Sequence, residues 1–427
     1  MTRPNFIFIM ADDLGYADLG CYGGRTNCSP VLDRMASAGM LFSNGYANSS
    51  VCSPSRFAIM TGRYQHRLRG GFDEPIAGGG PHLGLTPEHP TMPSMLRDAG
   101  YSTALIGKWH LGSPPWFSPQ KSGYQEYFGF RSGAVDFFTH RSFSGSHDLW
   151  EGDDEAHVDG YLTDILSDRA ADYIRRKAAD GPYMLSVHYS APHWPWETRE
   201  DRAEAERIKD KGIFHLDGGS LEIYLRMIQE MDEGIGRILQ AVAESGAADN
   251  TLILFTSDNG GERFSDSWPL TGKKMDLLEG GIRVPYILRW PERIAPGQRS
   301  DRLVMGMDWM PTFLAAAGVA PHPDYPPDGV DIFGPDTPRD VFWRMKFRNQ
   351  KAMRSGDWKW LSVDGNEFLF NLANDQRERA NMRYREPERF IRMRRAFFDW
   401  DESMPLFPED STFTLAYDET NMAKPSS

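Results

Sequence analysis

The sequence predicts an α/β sandwich: a mostly parallel sheet between helices over residues 1–325, then a small α+β domain over 326–427. Three observations predict it. Short, continuous apolar runs at 5–10, 101–106, 182–189 and 251–256 read as buried central strands. Helical patterns separate them, as parallel crossovers require. Each run also ends in a polar cluster (Asp12-Asp13, Lys108-Trp109-His110, the stretch to His193, and Asp258-Asn259), and an open parallel sheet carries its site outside the carboxyl ends of its strands.

In chain order, the run at 5–10 leads into Ala11-Asp12-Asp13, 30–38 reads as a helix with Pro30 early and Gly39 past its end, and 40–47 as a strand. A second helix follows, capped by Ser53 with Pro54 at its first position, carrying Phe57, Ile59 and Met60 and closed by Gly62-Arg63. Residues 70–90, rich in Gly and Pro, form a loop of the kind that shapes access to a site, with His66, His82 and His89 as solvated loop histidines. A capped helix at 91–99 ends at Gly100, the strand at 101–106 follows, and 154–179 is an amphipathic helix. Strand 182–189 exits through the Pro-rich 190–196, and His188 within it reads as structural. The longest helix, 220–243, turns Leu221, Tyr224, Leu225, Ile228, Met231 and Ile235 towards the core. Strands at 251–256 and 286–290 and a helical run to Ala317 complete the large domain, which the Pro-rich 319–327 leaves. Strands at 341–345, 351–354, 357–362 and 367–371 and a helix at 386–400 build the small one, while 407–427 shows no strong pattern.

Composition narrows the function. With 47 Lys+Arg against 60 Asp+Glu, the net charge of −13 argues against a nucleic-acid or anionic-membrane surface, so any anion site must be a local basic pocket. Cys21, Cys28 and Cys52 are too few for a disulfide framework. No stretch is long and apolar enough to span a bilayer, and residues 1–5 run directly into the first strand without a leader pattern, so a cytoplasmic protein is expected.

The clusters suggest chemistry. Cys52 at a helix N-terminus, with Arg56 one turn on, suits an anionic ligand, although singly they read as a buried cysteine and a surface cation. A turn explains one aspartate after a buried strand; the adjacent Asp12 and Asp13 would repel and need a cation or donors. Asp258-Asn259 offers more hard oxygen ligands for Ca²⁺ or Mg²⁺, against the alternative of an Asn-Gly turn. Lys108 and His110, two apart in an extended segment, project to one side.

Together the motifs resemble those of the type I sulfatases. Cys52-x-Pro54-x-Arg56, continued by Thr61-Gly62-Arg63, resembles the family signature, whose cysteine is oxidised after translation to formylglycine. The stretch from Asn5 to Gly15 is similar to the family's opening strand, whose paired aspartates hold a divalent cation, and Asp258-Asn259 to the pair facing them. Gly107-Lys108-Trp109-His110-Leu111-Gly112 resembles the second signature, and Ala191-Pro192-His193-x-Pro195 the segment placing a histidine beside the leaving-group oxygen. In Thr271 to Pro285, counting five back from Glu279 selects Lys274 rather than Lys273 as a sulfate-binding residue, with Glu279 and Arg283 as structural ion-pair partners. The segments 352–360 and 368–372 look like the family's C-terminal sheet, so the resemblance covers nearly the whole chain.

The resemblance implies an alkaline-phosphatase-like α/β/α sandwich that hydrolyses sulfate monoesters, aryl sulfates and carbohydrate sulfates among them, through a formylglycine hydrate made from Cys52. It implies Ca²⁺, with Mg²⁺ the alternative, held by Asp12, Asp13, Asp258, Asn259 and the converted Cys52. Lys108, Lys274 and Arg56 would hold the sulfuryl oxygens, His193 protonate the leaving group, His110 take the second hydroxyl's proton and Asp258 accept the nucleophile's. The loop at 70–90, Trp116, residues 136–140, Trp194 and Trp196 would wall the alcohol side. The expected partners are a sulfate ester and a formylglycine-generating maturation enzyme, without nucleic acid or membrane; a homo-oligomer is left open. The rivals are a phosphate or phosphonate monoester hydrolase of the same superfamily and, were Cys52 unmodified, a non-catalytic metal- and anion-binding protein.

Overall fold

A computed structural model describes residues 3–210 and 213–414. Its strands are β1 (Asn5–Ala11), β2 (Met40–Tyr46), β3 (Ser102–Gly107), β4 (Glu126–Gly129), β5 (Trp150–Glu151), β6 (Asp154–Glu155), β7 (Tyr183–His188), β8 (Thr251–Ser257), β9 (Tyr286–Arg289), β10 (Gln298–Met305), β11 (Asp340–Met345), β12 (Gln350–Ser355), β13 (Trp358–Val363) and β14 (Asn366–Asn371). The helices are α1 (Pro30–Ser37), α2 (Cys52–Thr61), α3 (Met92–Asp98), α4 (Leu162–Lys177), α5 (Arg202–Ile208), α6 (Leu221–Glu244), α7 (Glu279–Ile282), α8 (Trp309–Ala317) and α9 (Pro387–Glu402).

The first ten strands form one sheet in the order β10-β2-β9-β8-β1-β7-β3-β4-β5-β6. Its centre is parallel, and β9 runs antiparallel to both β8 and β2. The continuous apolar runs arise because the central strands are covered on both faces. Ile7 and Ile9 of β1 pack with Leu166 and Ile174 of α4 and Ile228 and Ile235 of α6. Phe6, Phe8 and Met10 of the same strand point the other way, into Leu96 of α3 and Phe313 of α8.

The four remaining strands make a separate antiparallel sheet, β11-β12-β13-β14. It too is covered twice: Met353, Trp360 and Leu369 pack on Met393 and Phe397 of α9, while Ala352, Leu361 and Phe370 face Tyr46, Val51, Leu277 and Ile282 of the large unit. The small sheet is thereby pressed against the segments around Cys52 and Lys274.

Several local expectations need correction. α2 starts at Cys52 with Val51 as N-cap; Ser53 lies inside the helix, where its hydroxyl accepts the Ile76 N–H at 2.8 Å. α4 starts at Leu162, because Asp154–Glu155 pairs with β5 as an edge hairpin. Leu221 is exposed, whereas Asp232, on the buried side of α6, accepts the N–H groups of Val31 and Leu32 at the start of α1, at 2.7 and 2.8 Å. His66 and His89 are buried; of the three loop histidines only His82 is exposed. β10 is an edge strand with a register shift between Ser300 and Leu303, and its polar Gln-Arg-Ser-Asp-Arg start carries no apolar run to find. Of the stretch 407–427, residues 415–427 lie outside the described residues. No helix among the described residues is long and apolar enough to cross a membrane.

Candidate active site

The sheet topology assembles the site. β1 and β8 are parallel neighbours with Ala11 opposite Ser257, so Asp12 and Asp13 emerge beside Asp258 and Asn259. On the other side of β1, β7 and β3 end with His188 opposite Gly107, and the Lys108 N–H donates to the His188 carbonyl at 2.9 Å. Gly107 is required there: its φ is +114°, and a Cβ would meet the His188 carbonyl oxygen at 1.9 Å. α2 brings Cys52, 1% exposed, over these strand ends.

The side chains converge. Cys52 Sγ lies 3.4 Å from Asp12 Oδ1 and 3.9 Å from Asp13 Oδ1. Lys108 Nζ is 2.5 Å from Asp12 Oδ2, and Lys274 Nζ is 2.6 Å from Asp13 Oδ2. His193 Nε2 lies 3.5 Å from the same Asp13 oxygen. Asn259 donates from Nδ2 to Asp13 Oδ1 at 2.7 Å. Lys274, not the exposed Lys273, is the lysine that enters the cluster.

Two expectations change. Arg56 donates from Nε and Nη2 to Asp258 Oδ2, at 3.0 and 2.9 Å, and from Nη1 to the Lys108 carbonyl at 3.1 Å. Arg56 is thus a buried group that orients Asp258 and the Lys108 backbone, not the surface cation its residue type suggests. The Lys108–His110 segment is not extended, since His110 has φ +55°, and alternation does not put the two side chains on one side. His110 donates from Nε2 to the Ile76 carbonyl at 3.0 Å, which leaves Nδ1 a buried acceptor without a partner.

Electrostatics bear on reactivity. Burial, reinforced by the Asp12 carboxylate, pushes the Cys52 thiol well above its ordinary range, so the encoded side chain is a poor nucleophile. Burial would also raise Asp13, but Lys274 and His193 outweigh it and hold the carboxyl down to about 2. Burial and the Asp12 charge raise Asp258 to about 6 despite Arg56. Burial and then Lys274 lower His193 to about 3, and burial and then Lys108 lower His110 well below the usual imidazole range.

The residues fit a hard divalent cation. Asn259 Oδ1 is buried without a partner, the carboxylates of Asp12, Asp13 and Asp258 are buried, and ligand atoms of Asp12, Asp13, Cys52 and His193 lie within 4.8 Å of one another. Oxygen ligands of this kind suit Ca²⁺ or Mg²⁺. His193 is the member that the sequence does not suggest as a possible ligand. Sequence also gives no hint of Glu262, whose carboxyl is raised to about 7 by burial, against the pull of Lys274.

Beyond His193 an aromatic series runs outwards: ring centroids are 4.3 Å apart for His193 and Trp194, 5.2 Å for Trp194 and Phe214, and 6.3 Å for Phe214 and the exposed Phe143. Trp194 is buried within that series, and Trp196 is buried too, its ring 4.8 Å from that of Phe264. Asp136 and His140 are buried as well, and Trp116 is exposed.

Comparisons with known proteins agree with this arrangement. A family profile described as Sulfatase matches residues 4–319. N-acetylgalactosamine-6-sulfatase of Homo sapiens is 32% identical over 360 residues, which cover 77% of this chain and 65% of that protein. Arylsulfatase A of Homo sapiens is 32% identical over 362 residues, covering 77% of this chain and 67% of that one. This chain therefore spans about two thirds of the length of these relatives, slightly less for the first. The solved structure of Ps i-CgsB in complex with k-i-k-neocarrahexaose is similar over 98% of this chain and 97% of its own, with a TM-score of 0.85 at 30% identity.

Proposed function

Because this chain belongs to the sulfatase family, we propose that it hydrolyses sulfate monoesters to an alcohol and inorganic sulfate, with Cys52 converted to formylglycine by a maturation enzyme. The observation that carries the reading is the convergence of Cys52 on Asp12 and Asp13, with Lys108 and Lys274 paired to those same carboxylates. The raised thiol adds a reason for conversion, since a protonated cysteine attacks sulfur poorly. A hydrated aldehyde at position 52 supplies two hydroxyls, one to attack sulfur and one whose deprotonation expels sulfate.

A divalent cation, Ca²⁺ in our reading, would be held by Asp12, Asp13, Asp258 and Asn259 and would supply Lewis-acid polarisation of the nucleophile and the sulfuryl oxygens. The protein's own groups do the rest. Lys108 and Lys274 bind the sulfuryl oxygens, and Arg56 holds Asp258 in place to accept a proton. His110 offers the unpartnered Nδ1 as base for the second hydroxyl. His193, whose Nδ1 donates to the Trp194 carbonyl at 2.7 Å, presents Nε2 towards Asp13 and the leaving group. An anionic ester beside Lys274 offsets that cation's effect and favours the protonated ring.

The aromatic series from Trp194 to Phe143 supports a ring-bearing alcohol, either a phenyl group or the apolar face of a sugar. The sugar names carried by N-acetylgalactosamine-6-sulfatase and by the ligand of the Ps i-CgsB complex favour carbohydrate sulfates. The test joins peptide mass analysis around Cys52 to turnover of matched aryl sulfates and phosphates. Active protein should carry the aldehyde or its hydrate, prefer sulfate, and lose turnover in Cys52→Ala. Full sulfatase activity with only unmodified Cys52, or a preference for phosphate, would overturn the proposal.

A further inference from the structure

Lys274 lies in a stretch, residues 262–278, that contains neither helix nor strand. Just after it, Met275 adopts φ +74°, a left-handed conformation that a non-glycine residue keeps only where its surroundings impose it. Much of that constraint comes from the other sheet. Gln350, the first residue of β12 and 1% exposed, donates from Nε2 to the Met275 carbonyl at 2.7 Å and accepts the Leu277 N–H at Oε1, at 2.9 Å. A third hold is the Met275 N–H, which donates to the Ser50 carbonyl at 3.0 Å. Ser50 stands two residues before Cys52, and its hydroxyl donates to Met345 Sδ of β11 at 2.9 Å. One turn of backbone therefore ties together the start of α2, the Lys274 side chain and the C-terminal sheet.

We propose that Gln350 is a positioning residue for sulfate recognition, its amide fixing the Met275 turn and thereby holding Lys274 Nζ in the pocket beside Cys52. The proposal rests on reading that pocket as a sulfate site. The chemistry demands an amide of this length, because the same side chain donates to the Met275 carbonyl and, at 3.2 Å, to the Phe347 carbonyl while accepting the Leu277 N–H. A glutamate keeps the shape and the Leu277 contact but sets a carboxylate oxygen against the Met275 carbonyl. Alanine strips the partner from both groups, and the Leu277 residue is fully buried.

The experiment measures binding of inorganic sulfate to the full chain, loaded with its cation, by calorimetry. It compares the wild type, Lys274→Ala, Gln350→Glu and the double variant, with Gln350→Ala as a second form if the glutamate does not fold. Gln350→Glu should weaken sulfate by about tenfold (~1.4 kcal/mol). In the Lys274→Ala background the same change should have no further effect, because Gln350 acts through that lysine. In turnover of an aryl sulfate, the sulfate inhibition constant should follow the binding loss. Wild type that binds no sulfate, or Lys274→Ala that binds it normally, overturns the pocket reading and this proposal together. Gln350→Glu that binds like wild type, or that weakens sulfate equally in both backgrounds, overturns the positioning role alone.

Discussion

Lys359→Met should destabilise the protein by an amount set by the charges it strands. Lys359, on β13 and fully buried, has Nζ 3.0 Å from Glu279 Oε1 and 2.8 Å from Glu378 Oε1, bridging the small sheet to the start of α7. Burial would raise Glu279, but Lys359, Arg283 and Arg354 outweigh it and hold the carboxyl at about 2. Glu378 is raised to about 7, burial there exceeding the pull of Lys359. Without the ammonium, Glu279 keeps the Tyr46 hydroxyl at 2.6 Å and Glu378 keeps the Glu279 N–H at 2.6 Å, so each retains a donor but loses its nearest cation. Breaking a buried pair in this way costs about 3–5 kcal/mol. With an unfolding entropy of about 2.1 cal/mol/K per residue over 427 residues, the melting temperature should fall by about 3–6 °C. The pH dependence has a definite sign. A carboxyl raised in the folded state binds its proton more tightly there than in the unfolded chain, so stability falls as pH rises from the unfolded value near ~4.3 through the folded one. Losing Lys359 raises Glu378 further and lets Glu279 climb from its depressed value, so the deficit should be greatest above pH ~7 and shrink towards pH ~5. Scanning calorimetry across that range measures it. A loss below ~1 °C at neutral pH, or a deficit that grows on acidification, would refute the reasoning.

Two further outcomes are expected. Asp13→Ala should lose the divalent cation and turnover together, read by elemental analysis alongside aryl sulfate hydrolysis; chelated wild type that keeps full turnover would remove the cation from the mechanism. His193→Ala should slow alkyl and sugar sulfates by roughly 10²- to 10⁴-fold while sparing nitrophenyl sulfate, whose leaving group needs little protonation. Equal slowing across the leaving-group series would make His193 a sulfate-binding residue instead of an acid.

Much of the site was legible in the sequence for a physical reason. Strands buried on both faces become unbroken apolar runs, and the catalytic candidates Asp12, Lys108 and Asp258 sit at the polar breaks where those runs end. What stayed hidden depends on backbone conformation or on distant backbone partners. The positive φ of His110 removes it from the alternation that its spacing suggests, and Ser53, a good cap by type, is taken by the Ile76 N–H. Arg56 reads singly as a surface cation, yet it is buried and donates to Asp258 and the Lys108 carbonyl, which arrive just past the ends of β8 and β3. Gln350 is the extreme case, since its partners are backbone groups at Met275, Leu277 and Phe347, which leave no trace in residue type. The same fact suggests why the second sheet is docked where it is. The irregular stretch carrying Lys274 has local bonds of its own, the Lys274 N–H donating to the Gly261 carbonyl at 2.9 Å and the Asp276 N–H to the Lys273 carbonyl at 2.9 Å, and contacts from outside add to them. Gln350, the Arg377 carbonyl on Thr271 and Glu378 on the Glu279 N–H supply such contacts from C-terminal residues on both sides of that lysine. The smaller sheet thereby braces the segment that carries Lys274.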